Sequence, residues 1–427
     1  MAGVLDDGKA SISSRTLYFE NDAREQDTDQ RQTVTGLKAD FVSGYTPGVV
    51  GLGFDLQAVA GFNLGGGIDN PNASTVNTVS PVDTDGTPVK NWSSLRGNVK
   101  ATLSRSEVKA GNALAPNLPI LVANDGRLLP ASYQGITVSS KDLSNATWVA
   151  GRLNREIGRA SSNWGSIGMS GGSKGANGFT FAGVDYTLAP NLTVQYYYSQ
   201  LDDYYRQNFG GLMHAYKISP DQSIKIDLRY FSSSSVGKNG EPGYRFNNNN
   251  GYATDVGEVK NHTWSAAFTY AVGGNSFLLG HQRVSDEGGM ASINNGSLRD
   301  GRGRPEGEGG ATYYLYTDSM LNAFVRAGEN TTFGQYAYAF AGMGIPGLKA
   351  SVSYLHGTDI RDAQGASSRY SEWERDMRVD YVIQSGPAKG LAFTLRRGSF
   401  RTEVPDSQGG YDFDQTRFLI NYTYSFN

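Results

Sequence analysis

The sequence predicts an all-β protein: a closed antiparallel transmembrane β-barrel of about eighteen strands, with short turns at one end and long loops at the other. Three observations predict it. The chain ends in YDFDQTRFLINYTYSFN, where Phe418, Ile420, Tyr422, Tyr424 and Phe426 take every second position and Arg417, Leu419, Asn421 and Thr423 fall between them. A strand points alternate side chains to opposite faces, so one face here is apolar and aromatic and the other mostly polar. Alternation of this kind recurs from Ser11 onward, and the segments that interrupt it are by turns tight reversals and long polar insertions. Composition agrees: 55 Gly, 25 Tyr and 19 Phe in 427 residues favour strands and turns over helices.

The same composition excludes several classes. Without Cys there is no disulfide framework and no thiolate metal site. A net charge of −3 gives no case for a nucleic-acid partner. The mean hydropathy of −0.43 is that of a soluble chain, but half of every barrel strand faces a wet lumen. No apolar run approaches the roughly 18 residues of a spanning helix. No linker or compositional break divides the chain, so residues 1–427 are expected to form a single barrel domain. Met1-Ala2 is followed at once by GVLDDGKA; the expectation is a mature N-terminus with an added start Met, the precursor carrying an export signal.

In chain order, a first strand is expected over roughly 10–20 and a second over 35–45, reversing at Thr46-Pro47-Gly48 into a third over 49–60. In that third strand Val50, Leu52, Phe54, Leu56 and Ala58 share one face, and Gly51, Gly53, Asp55 and Gln57 the other. A Gly/Asn/Thr/Pro-rich loop fills 61–93, and two strands then flank a turn near Ser104-Arg105-Ser106. Residues 111–133, GNALAPNLPILVANDGRLLPASY, carry three prolines and many apolar residues with no strand period. A loop bearing Leu118, Ile120, Leu121, Val122, Leu128 and Leu129 must pack on something, and the barrel interior is the nearest surface; an outer edge or an oligomer contact is the alternative. Later reversals fall at 141–145, Ala189-Pro190-Asn191, Ser219-Pro220-Asp221, Gly273-Gly274-Asn275, Gly344-Ile345-Pro346-Gly347 and Ser385-Gly386-Pro387. Long loops are expected at 156–176, 233–259, 285–331 and 356–371, and the aromatic TYYLYTDSMLNAF at 312–324 makes 285–331 the second loop to fold inward.

Charged residues fix which face is which, because a cation on the lipid face at mid-depth costs about 2–4 kcal/mol. Ile224, Ile226, Leu228 and Tyr230 then face lipid, and Lys225, Asp227 and Arg229 face the lumen. Met377, Val379, Tyr381 and Ile383 face out, leaving Asp376, Arg378 and Asp380 inside. Leu391, Phe393 and Leu395 leave Thr394 and Arg396 inside, beside Arg417 of the last strand. Interior arginines on neighbouring strands repel one another. Either Asp376 and Asp380 neutralise a merely solvated cluster, or the guanidiniums form a stripe of weak sites that hold an anionic solute and pass it along.

The chain resembles the OprD family of outer-membrane substrate-specific channels nearly end to end. The resemblance rests on RTLYFENDAR at 15–24, GYTPGVVGLGFD at 44–55, NLPILVANDGRLLPASYQG at 117–135, SKDLSNATWVAGRLNREIGRASSN at 140–163, GHQRVSDEGG at 280–289 and YVIQSGPAKGLAF at 381–393. It implies a passive carboxylate channel of the outer membrane in a Gram-negative bacterium, with no cofactor and no metal. It also implies a monomeric pore, narrowed by two inward loops to an eyelet, along which a basic ladder guides the solute. Matching ladder positions are Arg15, Arg127, Arg159 and Arg283, with Arg396 and Arg417 where relatives carry basic residues on the last strands. Alternation leaves Arg283 open, since Phe277 and Leu279 share its face. Asp318, with Asp227 and Asp380, are the candidate acidic partners at the eyelet. Asn21 stands where relatives can carry another Arg, Thr394 where basic-amino-acid channels have the first Arg of a pair, and MLNAF at 320–324 lacks an Asp. These departures lean toward simple, cyclic or aromatic monocarboxylates, with a basic amino-acid channel as the alternative.

Expected partners are small carboxylate solutes, outer-membrane lipid and lipopolysaccharide, and the barrel-assembly machinery; the barrel is expected to be a monomer or weak trimer. A barrel enzyme would need a rim constellation, but no motif associates His214, His262, His281 and His356, and Asp202 and Asp203 point oppositely if they lie on a strand. A structural adhesin would need neither inward apolar loops nor interior arginines.

Overall fold

A computed structural model describes residues 3–72, 74–247, 250–303 and 309–426. The barrel wall consists of β1 (Lys9–Ala23), β2 (Gln30–Val42), β3 (Val50–Ile68), β4 (Asn91–Leu103), β5 (Ser106–Leu114), β6 (Ser132–Ser140), β7 (Ala146–Ile157), β8 (Phe179–Ala189) and β9 (Leu192–Leu201). It continues through β10 (Tyr205–Ser219), β11 (Gln222–Ser235), β12 (Lys260–Val272), β13 (Asn275–Val284), β14 (Asn330–Ala339), β15 (Leu348–Arg361), β16 (Arg369–Val382), β17 (Ala392–Thr402) and β18 (Phe413–Phe426). Each strand pairs antiparallel with the next, and β18 pairs with β1 from Ala10↔Phe426 to Ala23↔Phe413. Closure leaves no unpaired edge, which is what a β-sheet needs in lipid.

Burial is inverted relative to a soluble protein. On β11, Leu228 and Tyr230 are exposed outward, while Asp227, Arg229 and Phe231 between them are buried inside. Two loops cover much of the inward faces, and Val79 of 69–90 and Ile167 and Met169 of 158–178 join the same clusters. Residues 115–131 enter the lumen, where Ile120 and Leu121 pack with Tyr133, Leu153, Phe179 and Phe209, and Leu128 and Leu129 pack with Leu17, Val34, Val59 and Trp92. Each such burial stabilises the loop by about 1.5–3 kcal/mol. Gly36 makes room for this on β2: a Cβ there would meet Leu128 Cγ at 3.0 Å. Residues 285–329 fold in beside it, and Ala311 and Thr312 pair with Ala123 and Val122. The apolar, aperiodic stretch at 111–133 therefore packs inward as its composition requires, with its ends drawn into β5 and β6.

The expected reversals are present and most are short. At Ser104-Arg105 the chain turns through Ser104 at φ 55°, in the left-handed region. The loop expected from residue 61 begins later, because β3 runs to Ile68 with a bulge opposite Thr33 and Val34. Arg283 is a correction. Its neighbour Gln282 is buried and donates to the Phe324 carbonyl of the inward loop at 2.8 Å, so Arg283 points out of the barrel, paired in register with the exposed Trp264.

Candidate functional site

Between the two inward loops lies a cavity of about 400 Å³. Its wall joins Arg127 of the first loop and Arg159, just beyond β7, to Arg396 of β17 and Arg417 of β18, with Asp318 of the second loop on the same lining. Alternation places the last two arginines. They are direct cross-strand partners on the inner face of a barrel whose outer face there carries Leu395 and Phe418. The loops place the other two. Arg127 lies with its guanidinium 5.0 Å from the Phe19 ring centroid, and Arg159 donates to Asn124 Oδ1 at 3.2 Å.

The second loop is held against the wall by a polar scheme that alternation alone only outlined. Glu374 on β16 accepts the backbone N–H groups of Met320, Leu321 and Asn322 at 3.2, 3.0 and 2.8 Å. Asp376 accepts the Ser319 hydroxyl at 2.5 Å, and Glu372 accepts the Asn322 amide. From the neighbouring strands Arg396 Nη2 donates to the Ser319 carbonyl and Arg417 Nη2 to the Met320 carbonyl, each at 2.7 Å. Acids thus hold the donors of residues 319–322 and arginines hold the acceptors. Arg417 Nε is also engaged, with Gln415 Oε1 at 2.6 Å; among the described residues Nη1 of Arg396 and of Arg417 has no protein hydrogen bond, and both residues line the cavity.

The remaining expected residues fall elsewhere. Arg15 lines a second cavity of about 240 Å³ with Lys38, Asn421 and Thr423, toward the short-turn end. It reaches up to the first loop, donating to Asp125 Oδ1 and to the Arg127 carbonyl at 2.8 Å. Lys225, Asp227 and Arg229 face inward but not into the main cavity. Arg229 grips Asp227 with two hydrogen bonds of 2.8 and 3.0 Å and lies 3.8 and 4.3 Å from the ring centroids of Tyr314 and Tyr316. Lys225 stands 3.1 Å from Asp227 and 3.2 Å from the Tyr316 hydroxyl. That triad steadies the second loop, and Asp227 is saturated. Arg378 and Asp380 hold each other through hydrogen bonds of 2.7 and 2.9 Å, with Thr394 donating to Asp380. Asp318 accepts from the Thr312 hydroxyl and, at 2.9 Å, from the Tyr313 N–H, through one oxygen; it remains on the cavity lining.

Glu372 and Glu374 are site residues that the sequence reading missed. Both continue the inward alternation of Asp376, Arg378 and Asp380 by two steps, so extending that period toward Arg369 would have found them. The four histidines are outward and stack on or pack against aromatic rings: His214 on Tyr216, His262 on Tyr230, His281 beside Trp264 and His356 on Tyr354. Among the described residues no group of acids and histidines is placed to hold a metal ion.

Comparison with known proteins agrees with the barrel fold. The family model described as outer membrane porin, OprD family, matches residues 2–426. Porin D of Pseudomonas aeruginosa is 27% identical over 99% of this chain and 92% of its own length. The crystal structure of Pseudomonas aeruginosa OccK8 (OprE) superposes with a TM-score of 0.86 at 37% identity, covering 100% of both chains. The same organism's OpdK, solved with vanillate, gives 0.83 at 30% identity over 99% of this chain and 100% of that one.

Proposed function

Since the chain belongs to the OprD family of outer membrane porins, we propose that its substrates are small carboxylates, drawn through the eyelet by Arg127, Arg159, Arg396 and Arg417. The protein is a passive channel of the Gram-negative outer membrane and not an enzyme. The observation that carries the substrate reading is the gathering of four arginines on one narrow cavity, two of them with an Nη1 that no described protein group engages. An arginine matches a carboxylate in charge and shape, and several weak sites in series let a solute leave as readily as it enters. Arg15 and Lys38 line the next cavity toward the short-turn end, each paired with a carboxylate, Asp125 and Asp40. Phe246, Ile293 and Tyr313 supply an apolar side to the main cavity, which suits a cyclic or aromatic monocarboxylate. OpdK was solved with such a compound, vanillate.

An amino-acid substrate is the second reading. Asp318 shares the cavity with the arginines and would take an ammonium group while they hold the carboxylate. Single-channel recording in planar bilayers separates the two. Benzoate that interrupts the current at concentrations where arginine does not supports the monocarboxylate reading, and the reverse supports the amino acid. A large current unaffected by benzoate, glucuronate, pyroglutamate or arginine would reduce the cluster to lumen solvation.

A further inference from the structure

Arg283 is one of several strand arginines that point away from the pore. Arg31, Arg152, Arg206, Arg375, Arg397 and Arg401 do the same by alternation, and all lie on the long-loop side of the apolar band. The outward faces nearer the short turns carry apolar and aromatic residues instead, such as Leu52, Val99, Tyr216, Phe277, Tyr336, Val379 and Tyr424, and among the described residues no Lys or Arg. Lipid-facing cations are thus confined to one leaflet. A cation near the interface costs little there, and an anion brought beside it is attracted.

The barrel closure shows where such an anion would sit. On β18 the outward Asp414 is buried under Arg24 at 2.8 Å and Arg401 at 3.0 Å, with Asp22 its cross-strand partner and Asp412 3.7 Å from Arg401. The carboxylates of this patch cluster on that side. Arg397 borders them, and Arg375 stands one strand farther away. Arg375 is opposite Ser399, and Arg397 is opposite Met377, so the two arginines are diagonal neighbours on one outer face, a spacing of about 7–8 Å. Both are exposed. Arg375 has no hydrogen bond or ion pair among the described residues, and Arg397 has the Thr416 hydroxyl at 2.6 Å and a long ion pair with Asp414 at 4.0 Å. Directly toward the short-turn end stand Met377, Leu395 and Phe418, which face hydrocarbon. Trp373 and Tyr354, with ring centroids 6.2 Å apart, flank the pair at interfacial depth.

We propose that Arg375 and Arg397 bind a phosphate of the phosphorylated glycolipid that forms the outer leaflet, its acyl chains lying along Met377, Leu395 and Phe418. Two guanidiniums on adjacent strands can bracket one phosphate, and the dry side of the interface strengthens the attraction. The site is independent of what passes through the pore. Binding of a bisphosphorylated lipid A to the detergent-purified barrel, followed by native mass spectrometry, tests it. The wild-type barrel should hold that lipid about tenfold more tightly than the same lipid with both phosphates removed, and Arg375→Gln/Arg397→Gln should erase the difference. An unchanged single-channel conductance certifies that the double variant is folded. The proposal is overturned if the double variant binds within about twofold of wild type, or if dephosphorylated lipid binds equally well. It is also overturned if millimolar inorganic phosphate displaces the lipid, since that would mark a site for free phosphate.

Discussion

Interior arginines in this barrel do two different jobs, and their hydrogen bonds tell them apart. Arg229 has its guanidinium fully engaged by Asp227, the Tyr314 carbonyl and two aromatic rings. Arg229→Ala leaves the buried Asp227 with Lys225 and the Tyr316 hydroxyl only, a loss on the order of 3 kcal/mol. The expected outcome is a lower melting temperature and a noisier current. Arg396 and Arg417 instead line the cavity, and each keeps one Nη without a hydrogen bond among the described residues. Arg396→Ala or Arg417→Ala should weaken interruption of the current by benzoate about tenfold, or ~1.4 kcal/mol. Arg283→Ala should leave conductance and selectivity unchanged, because that side chain is outside the pore; altered selectivity would return it to the lumen. Alternation alone separated Arg396 and Arg417 from the lipid face but left Arg283 open, since it put Phe277 and Leu279 on the same face as that arginine. The buried carbonyl that holds Gln282 settles it, and that contact comes from a loop some 40 residues away in sequence.

At the scale of elements, the strands were legible and the loops only partly so. A period of two is set by each strand locally, so the inward set on β11, β16, β17 and β18 could be read directly. The inward course of 115–131 was also readable, since its apolar side chains need cover. The latch on residues 319–322 was not, because Glu374 holds backbone N–H groups, which carry no sequence signal. Such hydrogen bonds contribute about 0.5–1.5 kcal/mol each. Glu374→Gln turns one of the two accepting oxygens into a donor and should free the loop tip, raising mean conductance and adding flicker in single-channel records; an unaltered trace would mean that Arg396 and Arg417 hold the loop without it. A second tether joins the outer loops. Asp362 accepts hydrogen bonds from Gln408 Nε2 and the Tyr370 hydroxyl, both at 2.7 Å, which hold its carboxyl down to about 2. The ordinary carboxyl titrates near 3.9, so this contact stabilises fully above roughly pH 4 and fades as the pH falls through about 2. Hydrogen exchange in 362–370 and 403–410 should therefore stay slow from neutral pH to about pH 4 and quicken below it, whereas Asp362→Asn should exchange fast throughout.

For the molecule as a whole, a closed barrel sorts its residues into lumen, lipid and two interfaces, and the sequence carried three of those four labels. The apolar stripe, the polar stripe and the aromatic end of β18 were all visible in the last seventeen residues. The basic rim at the long-loop end was not, because an outward arginine looks in one dimension like an inward one displaced by a bulge. Closure has a mechanical consequence of its own. The seam between β1 and β18 joins Ala10 to Phe426, so almost the whole chain must be synthesised before it can form, and contacts this distant form slowly. At that seam Ser13 and Thr423 face each other with hydroxyls 2.9 Å apart, in a chain that has no cysteine. Ser13→Cys/Thr423→Cys would rivet the two ends into a covalent hoop, and the chain-entropy gain for so large a ring is on the order of 5 kcal/mol. Such a hoop could lose its hydrogen bonds and its lumen packing without its ends parting. Its refolding rate, compared with the reduced form, would measure how much of the barrier to assembly is the search of one end for the other.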